Sequence, residues 1–205
     1  MAANYASLAF SDASKALQEK HGSRKNYARM EKQSIYDGLS EGEIAFISER
    51  DSFYIATQGV NGYPYVQFRG GPKGFLKVID SHTLGMLDYR GNMQYFTAGN
   101  LATHDKAAII LLDYPTRTRL KLYARAEILE LNENPQLVEK LKDDYPAKVE
   151  RILLLHVEAY DWNCPQHITP RYTLPDIQEA FAPMQQELER LKQENQRVRE
   201  QLAAR

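Results

Sequence analysis

From Asn61 to Asn92 the chain reads NGYPYVQFRGGPKGFLKVIDSHTLGMLDYRGN, and this stretch limits the possible folds more than any other. Aromatic and branched residues at Tyr63, Tyr65, Val66 and Phe68, and again at Phe75, Leu76, Val78 and Ile79, are bounded by turn residues. That pattern predicts two strands joined by a glycine-rich connection and closed by a polar loop. Asn61-Gly62 takes positive φ at little cost, so residues 53–57 are expected to pair with 63–68 as a hairpin. In Gly70-Gly71-Pro72-Lys73-Gly74 the missing side chains let backbone come close to another group. Gln67, Arg69, Lys73 and Lys77 stand around that gap, and Asp88, Arg90 and Asn92 follow the next strand. Hydrogen-bonding and cationic groups gathered at strand ends suit a phosphorylated, planar ligand.

The rest of the sequence narrows the function class. A length of 205 residues with 43% hydrophobic content supports one domain with a sizeable core, or at most two domains. A formal charge of -1 and a pI near 6.5 argue against nucleic-acid binding, which needs a strongly basic face. No stretch is apolar enough to cross a membrane, and MAANYASLAFSDASK lacks a charged-then-apolar secretion pattern, so a cytoplasmic location is expected. The single cysteine, Cys164, excludes an intrachain disulfide, fits a reducing compartment and reads as a buried, inert thiol. His21, His82, His104, His156 and His167 show no metal-ligand spacing, so no metal site is expected.

Residues 11–33 read as two short helices, with Ser11 or Ser14 as a cap, a break at Gly22, and Arg24, Lys25, Arg29 and Lys32 on a solvated face. Ser40 and Glu43 form a capping box for a helix over 41–50. A short strand is predicted over 84–87, then a helix over 93–104 capped by Asn92, whose free N–H groups would favour a phosphate. Residues 107–112 are uniformly apolar and read as a strand buried on both faces. Residues 117–128 alternate, with Leu120, Leu122, Ala124, Ala126 and Ile128 on one face. Helices over 135–143 and 146–150 precede a last strand over 151–161.

After Leu174, Pro175 and Pro183 read as bracketing a linker or helix start. Phe181, Met184, Leu188, Leu191, Asn195, Val198 and Leu202 then recur at alternating spacings of three and four. This is a heptad seam with Phe181, Leu188, Asn195 and Leu202 at a, and it predicts a short parallel dimeric coil.

The order of the pieces resembles the small branch of flavin-binding split-barrel proteins related to pyridoxamine 5'-phosphate oxidase. The matching pieces are Arg69-Gly70-Gly71, Gly74-Phe75-Leu76, Val78, Asp80, Asp88-Tyr89-Arg90-Gly91-Asn92, Gly99-Asn100-Leu101, Asp113-Tyr114, Arg119-Leu120-Lys121-Leu122, Asp161 to Ile168 and Arg171. The resemblance covers about 41–172 and implies a mainly β fold with flanking helices. The implied division is an N-terminal helical segment on the barrel over 1–40, an FMN-binding split β-barrel over 41–173, and a C-terminal helix with coiled-coil heptads over 174–205. It further implies a homodimer with composite flavin sites at the interface. In that arrangement Arg69, Lys73, Phe75, Lys77, Asp88, Arg90 and Asn92 would serve one side of the cofactor, with backbone of 74–78 beside the ring. Arg119, Trp162, His167 and Arg171 would close the site across the interface.

The implied function is an FMN-dependent oxidoreductase acting on an unknown small-molecule redox substrate, in which the flavin carries the chemistry and no catalytic triad or acid pair is needed. The R-x-V-L-L-K and Y-T-x-x-x-S-R-K motifs of genuine pyridoxamine-phosphate oxidases are replaced here by Lys73-Gly74-Phe75-Leu76-Lys77-Val78 and Asp88-Tyr89-Arg90-Gly91-Asn92, which argues against vitamin B6 oxidation. Two other readings stay open. One is a non-catalytic flavin-binding redox sensor or docking module whose coil recruits a protein partner. The other is the same barrel holding a deazaflavin or haem, the latter disfavoured because no histidine near the chain end offers an axial ligand.

Overall fold

The computed structural model describes residues 4–32, 37–163 and 165–204; Cys164 lies outside them. Two compact units divide the chain, one within 1–113 and 118–166 and the other within 114–117 and 167–205. The first contains α1 (Tyr5–Ala9), α2 (Asp12–Lys20), α3 (Arg24–Lys32), α4 (Glu41–Ser48), β1 (Ser52–Gln58), β2 (Pro64–Gly70), β3 (Lys77–Asp80), β4 (Thr83–Tyr89), α5 (Phe96–Leu101), β5 (Lys106–Asp113), β6 (Thr118–Leu129), α6 (Pro135–Leu141) and β7 (Val149–Asn163). The second holds the helix α7 (Leu174–Ala203).

The strands form one antiparallel sheet in the order β2-β1-β5-β6-β7-β4-β3. The Asn61-Gly62 turn closes the β1–β2 hairpin with Gly62 at φ 81°, as its sequence predicts. Alternation then puts Phe53, Ile55, Leu111, Leu120 and Leu122 inside, where Ile47, Phe75, Leu76, Leu84 and Met86 complete the core. β7 is buried on both faces at Ile152–Leu155 because Ile152 and Leu154 meet α6 through Leu141, while Leu153 and Leu155 face the main core. α4 begins with the predicted capping box, in which Glu43 accepts from the Ser40 amide at 2.9 Å. At the N-terminus Ser11 caps α2, Gly22 turns the chain at φ 77°, and Tyr5 stacks on Tyr123 of β6 with centroids 4.6 Å apart.

Four sequence expectations need correction. β5 is fully buried only at Ala107, Ile109 and Leu111; Ala108, Ile110 and Leu112, on its other face, are partly buried. Beside them Val66 and Phe68 of β2 are 61% and 57% exposed. No helix forms over 146–150, where Val149 instead pairs with Tyr89 and starts β7. The helix predicted over 93–104 is reduced to Phe96–Leu101, since Met93 and Tyr95 adopt left-handed φ of 61° and 56°, incompatible with a right-handed helix. Phe75 and Leu76 precede β3 rather than belonging to it. Of the two readings of Pro175 and Pro183, the helix start is the one that forms: Thr173 caps α7 in a box with Asp176, Pro175 stands in its first turn, and the helix runs through Pro183.

Candidate functional site: an arginine-lined cleft at the split of the sheet

Because the sheet does not close, β2 keeps a free edge. β3 pairs only with residues 83–85 of β4, so the end of β4, from Met86 to Tyr89, has β7 on one side and no strand on the other. Arg69 bridges this split. Its position opposite Phe53 puts it on the inner face of β2 with Tyr65 and Gln67, and its Nη1 donates to Asp88 Oδ1 at 2.5 Å. Asp88 also meets Arg151 Nε at 3.4 Å; Arg151 Nη2 donates to Glu150 at 2.6 Å, and Arg90 Nε donates to the same Glu150 carboxylate. Three guanidiniums therefore face two carboxylates, leaving a positive excess. The Nε of Arg69 is buried and has no hydrogen-bond partner among the described residues, an unfilled donor at the cleft.

Residues 91–98 form the cleft's other wall. Tyr95 lies against Arg151, whose guanidinium carbon is 4.7 Å from the ring centroid, a cation–π contact that orients the arginine. Two non-glycine residues at left-handed φ so close together are strained backbone beside a charged cleft, the kind of site where strain accompanies function. α5 fastens this loop to the sheet: Thr97 donates to Gln67 at 2.6 Å, Asn100 donates to Thr57 at 3.0 Å, and Phe96 packs on Tyr65. The cleft encloses about 60 Å³, enough for a small anionic group and not for a tricyclic ring.

Burial raises the Asp88 pKa above the ordinary carboxylate range, with Arg69 and then Arg151 opposing that rise. Glu150 is held low chiefly by the hydrogen bond from Arg90; desolvation opposes this, and the hydrogen bond from Arg151 adds a smaller lowering.

Of the residues singled out from sequence, Arg69, Asp88, Arg90 and Asn92 gather here, Arg90 through its bond to Glu150. Asn92 does not cap α5: Tyr95 occupies that position, and Asn92 instead accepts from the Gln94 amide at 3.2 Å, which shapes the loop. Lys73, Phe75 and Lys77 do not line the cleft. Lys73 pairs with Glu49 in solvent, Lys77 with Asp143, and Phe75 stacks on Phe53 inside the core.

The glycines between them serve the chain itself. A Cβ on Gly71 would sit 2.6 Å from the Phe75 ring, and one on Gly74, at φ 74°, would sit 2.9 Å from the Ser48 carbonyl oxygen. The close approach read from the sequence is therefore to α4 and Phe75, not to a ligand.

Arg119 and Trp162 lie elsewhere on the first unit. Trp162 donates to Glu43 Oε1 at 2.6 Å and packs edge-on against Phe46, while Arg119 sits opposite Asn163 with its buried Nε unpartnered among the described residues. His167 and Arg171 belong to the second unit, where Arg171 lies 4.9 Å over the Tyr114 ring. Sequence reading missed Tyr95, Glu150 and Arg151. The first sits in a predicted helix, and the others open a strand some sixty residues from Asp88, with only their charge as a signal.

The family model for pyridoxamine 5'-phosphate oxidase matches residues 42–163, which is most of the first unit and more than half the chain. The chain belongs to the pyridoxamine 5'-phosphate oxidase family. No curated protein matches the sequence. Several solved structures are similar in fold. An FMN-binding protein from Syntrophomonas wolfei is 13% identical at a TM-score of 0.49, covering 71% of this chain and 97% of its own. A putative pyridoxamine 5'-phosphate oxidase from Lactobacillus delbrueckii is 22% identical at 0.48, covering 62% and 95%. HupZ from Group A Streptococcus is 14% identical at 0.48, covering 65% and 100%. The cleft lies wholly within the family segment, formed by its β2, β4, 91–98 loop and β7. Among the described residues no cluster of three metal-ligating side chains occurs, and no helix is long and apolar enough to cross a membrane.

Proposed function

We propose that this family member is an FMN-binding oxidoreductase whose cleft between β2 and β4 holds the flavin's phosphate. The observation that carries the reading is the pair of arginines on buried Asp88, Arg69 and Arg151, with Arg90 next to them on Glu150 and the Arg69 Nε lacking a partner among the described residues. Guanidiniums pair with phosphate oxygens in bidentate fashion, and an anion there would supply the acceptor that Arg69 lacks. Gln67, Asn92, Gln94 and Thr97 add neutral polar groups around the same point. The cleft's size fits the phosphate end alone, so the ring would lie outside it, against the barrel wall.

Bound FMN would supply hydride or single-electron transfer to a small-molecule redox substrate. The chain's own contribution is to hold the anion, orient it through Arg69 and Arg151, and keep water from the ring. The exposed outer face of β1, β2 and β5, with Tyr54, Val66, Phe68 and Ile110, is the surface through which two copies would pair. The second copy would then bring Arg119, Trp162, His167 and Arg171 to the open side of the flavin and complete a composite site.

The test is titration of the protein with FMN, read by flavin fluorescence. Arg90→Ala removes one charge-assisted contact, which is expected to weaken binding by about 1.5–3 kcal/mol. Unchanged affinity would take Arg90 out of the site.

A further inference from the structure

The helix α7 carries an apolar seam that runs its whole length. Upstream of Phe181 the three-four spacing continues through Ile177 to Leu174, so a and d positions extend from the first helical residue to Leu202, over four heptads. At 1.5 Å per residue the 30-residue helix is about 45 Å long. Every apolar residue of the seam is between 42% and 74% exposed, so the stripe has no partner among the described residues. Pro183 falls at an outward c position, where it interrupts the backbone bonding but not the seam.

The flanking charges identify what covers it. Glu187 and Glu194 occupy g, and Lys192 and Arg199 occupy e. Two copies side by side in parallel set each g residue against the e residue of the following heptad across the interface, Glu187 against Lys192 and Glu194 against Arg199, all opposite in sign. An antiparallel pair sets g against g and e against e, glutamate on glutamate and cation on cation. Asn195 at a meets its own copy in the parallel register alone, where the two amides bond each other and penalise any slip. We propose that α7 is a parallel, two-stranded coiled coil formed with a second copy of this chain. Two copies are then joined through a segment outside the family-matched residues 42–163.

The test uses the full chain with Cys164→Ser, which removes its single cysteine. Val198→Cys, at d, is compared with Glu200→Cys, at the outward f position two residues away. Under mild oxidation a parallel coil joins Val198→Cys to its own copy at least about tenfold faster than Glu200→Cys, since only seam side chains come within disulfide reach. Adding Lys192→Glu with Arg199→Glu opposes four like-charged contacts and slows that joining roughly tenfold. Restoring complementarity with Glu187→Lys and Glu194→Arg recovers it. Equal rates at the two positions, no joining at either, or indifference to the charge reversal each overturns the proposal. An antiparallel pair, a solvated single helix or a foreign helix in the seam gives one of those three results.

Discussion

Arg69 and Asp88 form the ion pair at the centre of the cleft, and they are separable by mutation. Their side chains are 15% and 9% exposed, so Arg69→Ala leaves a buried carboxylate with only the longer 3.4 Å contact to Arg151. Breaking a buried ion pair from one side costs roughly 3–5 kcal/mol, and the remaining arginine puts this case near the lower end, about 3 kcal/mol. For a chain of this length that is a fall of about 6–12 °C in Tm, measurable by circular dichroism. Asp88→Asn instead leaves two guanidiniums without their shared acceptor and also destabilises, but the double variant loses less than the sum, with a coupling of about 1.5 kcal/mol or more.

Flavin affinity splits the two. Arg69→Ala weakens FMN binding roughly 10- to 150-fold through the lost charge-assisted bond, whereas Asp88→Asn holds or tightens it, because a competing acceptor is gone. The pH dependence follows with its sign. Burial raises the Asp88 pKa above its ordinary 3.8, so the folded chain keeps a proton that the unfolded chain has lost; wild-type stability relative to Asp88→Asn falls as pH rises from 3.8 into that raised range. Additive stability losses, or equal flavin losses in both variants, would refute the idea that Asp88 stands where a phosphate competes.

Two further outcomes rest on single contacts. The one tryptophan donates to Glu43, whose burial would raise its pKa but whose hydrogen bonds from Ser40 and Trp162 outweigh that and lower it from 4.5. Glu43 thus contributes stability that is present above 4.5 and lost as pH falls through the lowered value, so tryptophan emission stays constant down to pH 4.5 and changes below it; a transition at or above 4.5 contradicts the contact's strength. Gly71→Ala and Gly74→Ala should each cost about 1–3 kcal/mol, from the clash with Phe75 and from positive φ beside the Ser48 carbonyl, while the folded variants bind flavin as the wild type does. Stable variants that lose flavin would return these glycines to the ligand site.

What the sequence disclosed and what it hid divide along physical lines. The Asn61-Gly62 hairpin and the Ser40–Glu43 capping box are local: each depends on residues within a few positions, and each forms as read. The strand at 107–112 departs from its reading because a run of apolar residues tells how much cover it needs, not how much the fold gives it; Ile110 and Leu112 stay only partly buried. The glycines at 70–74 announced close approach without naming the neighbour, which proved to be Phe75 and α4. In the cleft, Arg69, Asp88 and Arg90 were legible as charges clustered at strand ends. Arg151 was not, since it reaches Asp88 only through the β4–β7 pairing, and Met93 and Tyr95 carry left-handed backbone on residues that ordinarily avoid it.

The measurement that bears most directly on the flavin assignment is the visible absorption spectrum of the freshly purified protein, with the small molecule released by heat identified by mass. The account predicts the two visible bands of an oxidised flavin and free FMN in the supernatant. A colourless protein that also fails to take up added FMN would contradict it.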